Sequence, residues 1–106
     1  MKRVLLDHCV PRRVRLALPG NEVFTAFQRG WSTFKNGELL RVAESAGFEI
    51  LITSDKNIRH QQNLAGRRIA IIVLPTNTLQ LLLPIFPAIN DAVNRARRGD
   101  YEELPP

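Results

Sequence analysis

Ile50-Leu51-Ile52-Thr53-Ser54-Asp55 decides the reading of the fold: a short apolar run, then a polar exit that ends on an acid. A continuous apolar run of this length, with β-branched residues, suits a strand buried on both faces, and such strands belong to parallel sheets. Working outward, Asn36 is placed to cap a helix, because its side chain can accept an orphan backbone N–H. Leu39, Val42, Ala43 and Ala46 follow at helical spacing, and Gly47 stops the helix before the run begins. On the other side, Lys56 to Leu64 reads as a short helix, and Ile69 to Leu74 as a second apolar strand closed by Pro75. Strands alternating with amphipathic stretches are βα units.

The same rhythm extends in both directions. Arg3 to Leu6 is a short buried strand ending at Asp7, and Pro11 suits the first turn of a helix carrying Val14, Leu16 and Leu18. Pro19-Gly20-Asn21 is a turn, and Glu22 to Ala26 a further strand. Residues 28–35 are irregular. The tail from Thr78 to Arg98 is helical but broken by Pro84 and Pro87, each of which removes a helix hydrogen bond. Ile85, Ile89, Ala92, Val93 and Ala96 form its apolar face, and Gly99 ends it. The expectation is an α/β domain spanning 1–106, in three layers. Its four-stranded parallel sheet has order 2-1-3-4, with right-handed crossovers and helices on both faces.

Composition narrows the setting. A hydrophobic fraction of 44% over 106 residues excludes a disordered chain. One cysteine excludes an intramolecular disulfide and fits a reducing compartment. No apolar run reaches the length of a membrane span or a secretion signal, so a cytoplasmic protein without membrane association is expected. The net charge of +5, mostly from arginine, attracts phosphate backbones.

In an open parallel sheet, ligands bind outside the carboxyl ends of the strands, where the strand order reverses. The expected order places that point between the strands ending at Asp7 and Asp55. Two carboxylates at neighbouring strand tips repel unless a cation lies between them, and hard oxygen ligands completed by water suit Mg²⁺. Glu38, in the first turn of the preceding helix, faces the same edge and is a third candidate, although it also complements the helix dipole. Asp55 equally suits a helix cap. His8 and Cys9 invite a zinc site, but they lack a spaced partner pair, and His60 is the only other histidine. Cys9 reads instead as a small buried side chain, and Trp31 and Phe34 as packing. Gln61, Gln62 and Asn63 either meet a ligand or coat a helix.

Taken together, Val4-Leu5-Leu6-Asp7 with Pro11, Asn36-Gly37-Glu38-Leu39-Leu40, and Leu51-Ile52-Thr53-Ser54-Asp55-Lys56-Asn57 resemble the small PIN-like proteins of bacterial toxin–antitoxin systems. The resemblance covers roughly residues 1–75. It implies a compact three-layer fold and a metal-dependent endoribonuclease restrained by an antitoxin protein. On that pattern Asp7 matches the strand-1 aspartate and Asp55 the acid of a Thr-x-Asp motif; with Glu38 compensating for Asn36, the three would be both the catalytic residues and the ligands of Mg²⁺ or Mn²⁺. Lys56, Arg59, Arg12, Arg13, Asn36 and Asn57 would contact RNA. Asn36 and Asn57 stand where such proteins commonly carry acids, which lowers the charge available to a metal.

The alternative is a catalytically degenerate PIN-like module that binds RNA or a protein partner. A phosphoacceptor receiver is disfavoured, because His8 and Cys9 replace the acidic pair such domains need and no fifth strand is evident. Leu81, Leu82, Leu83 and Phe86 either form a homodimer or partner surface or cover the sheet.

Overall fold

Each apolar run becomes a strand at its expected place. The structure, a computed structural model, describes residues 1–61 and 66–106. The strands are β1 (Arg3–Leu6), β2 (Glu22–Thr25), β3 (Ile50–Thr53), β4 (Ala70–Val73) and β5 (Tyr101–Glu103). The helices are α1 (Asn36–Ser45), α2 (Ile58–Gln61), α3 (Leu79–Leu82) and α4 (Phe86–Arg95). Short 3-10 helices at Arg12–Ala17 and Leu83–Ile85 complete the set. All neighbouring strands are parallel, in the order β2-β1-β3-β4-β5. The expected order of four strands is contained in this one, and a fifth strand is added at the edge. The helix expected over Lys56 to Leu64 is seen as α2; Gln62, Asn63 and Leu64 lie outside the described residues.

Alternation along the strands builds two cores. Val4, Leu6, Ile50, Ile52, Ala70 and Ile72 face one layer. Leu5, Leu51, Ile71 and Val73 face the other. The first layer is supplied by Val14 and Ala17 of the first 3-10 helix, Leu82 of α3, and Ile89, Ala92 and Val93 of α4. The second is supplied by Leu39, Leu40 and Ala43 of α1, with Phe48 and Ile58, and Trp31 and Phe34 pack against it as expected. Burial of each Leu or Ile contributes about 1.5–3 kcal/mol, so both layers are needed for a chain of this size. Leu82 is buried in the first layer while its neighbours Leu81 and Leu83 remain exposed.

One connection departs from the expected right-handed set. The step from β1 to β2 crosses the first face; the steps from β2 to β3 and β3 to β4 run the opposite way along the sheet over the second face. These three therefore share a hand. The step from β4 to β5 continues in the latter direction but passes over the first face, so its hand is reversed. The physical reason is coverage. The six-residue 3-10 helix shields only part of the first face, and the apolar stripe of α4 packs beside it.

β5 has no apolar run, because it is a half-exposed edge strand whose pairing comes from the backbone. Ile71 N–H donates to Asp100 O at 2.8 Å, and Leu104 N–H to Val73 O at 2.8 Å. The turn into it requires Gly99, whose φ of +81° is left-handed and whose missing Cβ would lie 3.0 Å from Arg67 O.

Candidate active site

Parity along the strands determines which polar side chains meet at the carboxyl edge. Thr53 follows Leu51 on the face that α1 covers, and Asp7 follows Leu5. Asp7 N–H still donates to Ile52 O at 2.9 Å, so the last rung of the β1–β3 ladder holds its backbone. Its carboxylate is only 2% exposed. Oδ1 accepts from His8 N–H at 2.7 Å and lies 2.9 Å from His8 Nδ1. Oδ2 accepts from the Thr53 hydroxyl at 2.8 Å. Each oxygen has a donor, so the buried charge is oriented and solvated by the protein itself.

The same Thr53 oxygen accepts from Asp55 N–H at 3.1 Å. One fully buried hydroxyl thus links the side chain of one acid to the backbone of the other. Asp55 Oδ1 accepts from Asn57 N–H at 2.9 Å, and its backbone oxygen from Ile58 N–H at 3.3 Å. These bonds fulfil the capping role expected of it and hold the side chain at the rim. Oδ2 accepts from the Asn36 side-chain amide at 2.7 Å. Asn36 is therefore not the N-cap. Lys35 occupies that position with extended backbone, and Asn36 opens α1 with its side chain turned to Asp55. No Lys or Arg forms an ion pair with Asp7 or Asp55 among the described residues.

The remaining expected site residues divide. Glu38 is exposed and lies 3.9 Å from Arg41 on α1. Among the described residues no three His, Cys, Asp or Glu side chains stand together as a metal cluster, and the contact shown by Glu38 is the one with Arg41. Lys56 and Asn57 are exposed beside Asp55. Arg59 lies 3.8 Å from Glu103 of β5 rather than standing free for phosphate. Arg12 lines a cleft of about 520 Å³ that also holds Asp7 and His8, while Arg13 is exposed on the same 3-10 helix.

Cys9 is half-buried, as a packing role requires, yet its sulfur also accepts from Ser54 Oγ at 3.1 Å. His60 bonds to Arg59 and takes no part in the acid pair.

Sequence pattern alone does not mark Thr53, Tyr101 or Glu103 as site residues. Tyr101 Oη donates to Glu103 at 2.7 Å. Burial, then this bond and the Glu103 charge, push its pKa up to about 12, with Asp55 adding a smaller push the same way. The threonine of Thr53-Ser54-Asp55 was the only available signal.

Two carboxylates, an amide and hydroxyls form a hard-oxygen donor set. Among the described residues, Asp7 Oδ2 accepts from the Thr53 hydroxyl at 2.8 Å and more weakly from the Cys9 thiol at 3.8 Å, and each oxygen of Asp55 accepts one hydrogen bond, which leaves lone-pair capacity. That fits a divalent ion that keeps several waters and takes one or two carboxylates, as Mg²⁺ does. Comparison with protein-family models, curated proteins and solved structures finds no match to the chain.

Proposed function

We propose that the protein is a metal-dependent endoribonuclease of PIN-like type, with Asp7 and Asp55 holding Mg²⁺ or Mn²⁺. The observation that carries this reading is the Thr53 bridge. It joins two acids, neither paired with Lys or Arg among the described residues, at the point where the strand order reverses. The toxin role and restraint by an antitoxin rest on the sequence resemblance alone. A bound divalent ion would supply Lewis-acid charge and an activated water.

The chain's own residues supply position. His8 and Thr53 keep the Asp7 carboxylate from rotating, Asn36 and Asn57 do the same for Asp55, and Arg12, Arg13 and Lys56 draw the phosphate backbone to the rim. Hydrolysis joins a water oxygen to phosphorus and releases the leaving oxygen, which takes up a proton. The receiver alternative gains a fifth strand from the structure but loses on two counts. The reversed β4–β5 connection departs from uniformly right-handed doubly wound folds, and His8 and Cys9 stand where an acidic pair is needed.

The test is a thermal melt with Mn²⁺ alongside cleavage of an end-labelled RNA. Wild type should gain stability with Mn²⁺ and cut RNA only when the ion is present; Asp7→Asn should do neither. Equal Mn²⁺ responses in the two proteins would remove the reading. A second reading, a silent module that binds RNA or protein, is favoured by one contact. The Asn36 amide gives Asp55 a neutral partner where a metal site would gain from another acid. RNA binding without any Mn²⁺ response would select it.

A further inference from the structure

Phe27 is 79% exposed, yet it does not sit on a loose loop. Thr25 N–H donates to Gln28 Oε1 at 2.8 Å, and Gln28 N–H returns a bond to Thr25 Oγ1 at 3.0 Å. Gly30 N–H donates to Phe27 O at 3.1 Å and Trp31 N–H to Ala26 O at 2.8 Å. Arg29 lies over the rings of Phe24, Trp31 and Phe48, which anchors the turn to the second core. An aromatic ring is thus held in solvent by a turn clamped on both sides of it.

The ring lines the same cleft of about 520 Å³ as Asp7, His8, Arg12, Arg15 and Ser32. Arg12, Arg13 and Arg15 have no carboxylate partner among the described residues, whereas Arg3, Arg41, Arg59, Arg68 and Arg95 each have one. Two cations without a carboxylate partner among the described residues, Arg12 and Arg15, therefore share the cleft with an exposed aromatic ring. Stacking on a ring beside a cationic track is how an unpaired nucleotide is held without reading its sequence. A base pair within a duplex has no free face to offer.

We propose that this cleft is a nucleotide subsite on the β2 side of Asp7. Phe27 stacks one unpaired base, and Arg12 and Arg15 bind the adjoining phosphates, so the protein selects single strands over duplexes. The proposal takes RNA as substrate from the nuclease reading, but its geometry is independent of any metal.

The test is fluorescence anisotropy with a short labelled RNA, its DNA counterpart and a duplex, all in EDTA. Phe27→Ala should weaken RNA binding about tenfold, and Phe27→Trp should restore it. Arg12→Ala with Arg15→Ala should reduce the salt slope by about 1.4, as two lost phosphate contacts require. The duplex should bind weakly and show no dependence on residue 27. Tighter binding of the DNA strand would identify DNA as the source of the same base-and-phosphate chemistry and overturn the RNA assignment.

Unchanged RNA affinity in Phe27→Ala, with circular dichroism confirming the fold, overturns the proposal. So does a shift in sedimentation on that substitution, which would mark Phe27 as a protein contact. Because EDTA silences cleavage, binding that depends on Phe27 without Mn²⁺-dependent cutting would leave the subsite standing and the nuclease reading refuted.

Discussion

Thr53 satisfies both acids of the rim with a single oxygen, donating to Asp7 and accepting from the Asp55 backbone. Replacing it with valine keeps the shape and removes both bonds. Asp7 is buried, so losing a donor leaves a carboxylate oxygen without its partner, at a cost of about 1–3 kcal/mol. Thr53→Val should lower the urea midpoint accordingly, and Thr53→Ser should recover most of the loss. On the proposed metal reading, Mn²⁺ affinity should fall about 10–100-fold in the valine variant, the size of effect carried by orienting partners of metal ligands.

Asn36→Asp tests the same site from its other side. A carboxylate in place of the amide faces Asp55, which should lower apo stability and raise Mn²⁺ affinity. A melt with and without the ion reads both changes, and a variant no more responsive than wild type would place Asp55 outside any metal site. Asp7 and Asp55 were legible because an acid after an apolar run is conspicuous. Thr53 was not, because threonine is ordinary in a strand and its partners come from two separate segments.

At the scale of elements, β5 is the part of the fold that composition hides. Tyr101-Glu102-Glu103 reads as polar tail, and it forms a strand because Gly99 turns the chain back to the free edge of β4. The strand also builds a small network: Glu103 accepts the Tyr101 hydroxyl and pairs with Arg59, and Glu102 pairs with Arg95. Tyr101 is the only tyrosine, so its phenolate absorbance reports this edge alone. Its folded pKa of about 12 lies above the ordinary 10, so the neutral phenol is favoured by folding. Its contribution to stability is complete below pH 10 and is lost as pH rises from there towards about 12. Phenolate absorbance should titrate near 12 in the folded protein, and Tyr101→Phe should lack this phase of alkaline destabilisation. A midpoint near 10 in the native state would show that β5 does not hold the phenol. The four inner strands were legible from continuous burial, whereas an edge strand is specified by backbone pairing that side-chain patterns do not record.

At the scale of the whole molecule, a contact at the rim opposite the acids ties the first strand to the last helix. Lys2, just before β1, extends Nζ to the end of α4 and donates to Val93 O at 2.7 Å, Asn94 O at 3.1 Å and Ala96 O at 2.8 Å. These carbonyls lack partners within the helix, and the negative end of the helix dipole lies there, so one ammonium meets three acceptors and a favourable field. The contact joins residues more than ninety positions apart. It also pins the helix that crosses the first face with reversed hand, the arrangement least favoured by local chirality. Lys2→Met keeps the apolar stem and removes every donor, and should destabilise the protein by about 1–3 kcal/mol in urea unfolding. Lys2→Arg should restore only part of this, since a planar guanidinium cannot aim three donors into one converging set of carbonyls as an ammonium does. Because Lys2 lies at the far ends of the strands from Asp7 and Asp55, the Mn²⁺ response that the proposed site calls for should be unchanged in both variants. Loss of that response in Lys2→Met would mean that the α4 anchor and the acidic rim act as one unit, and the site could then no longer be treated as local to β1 and β3.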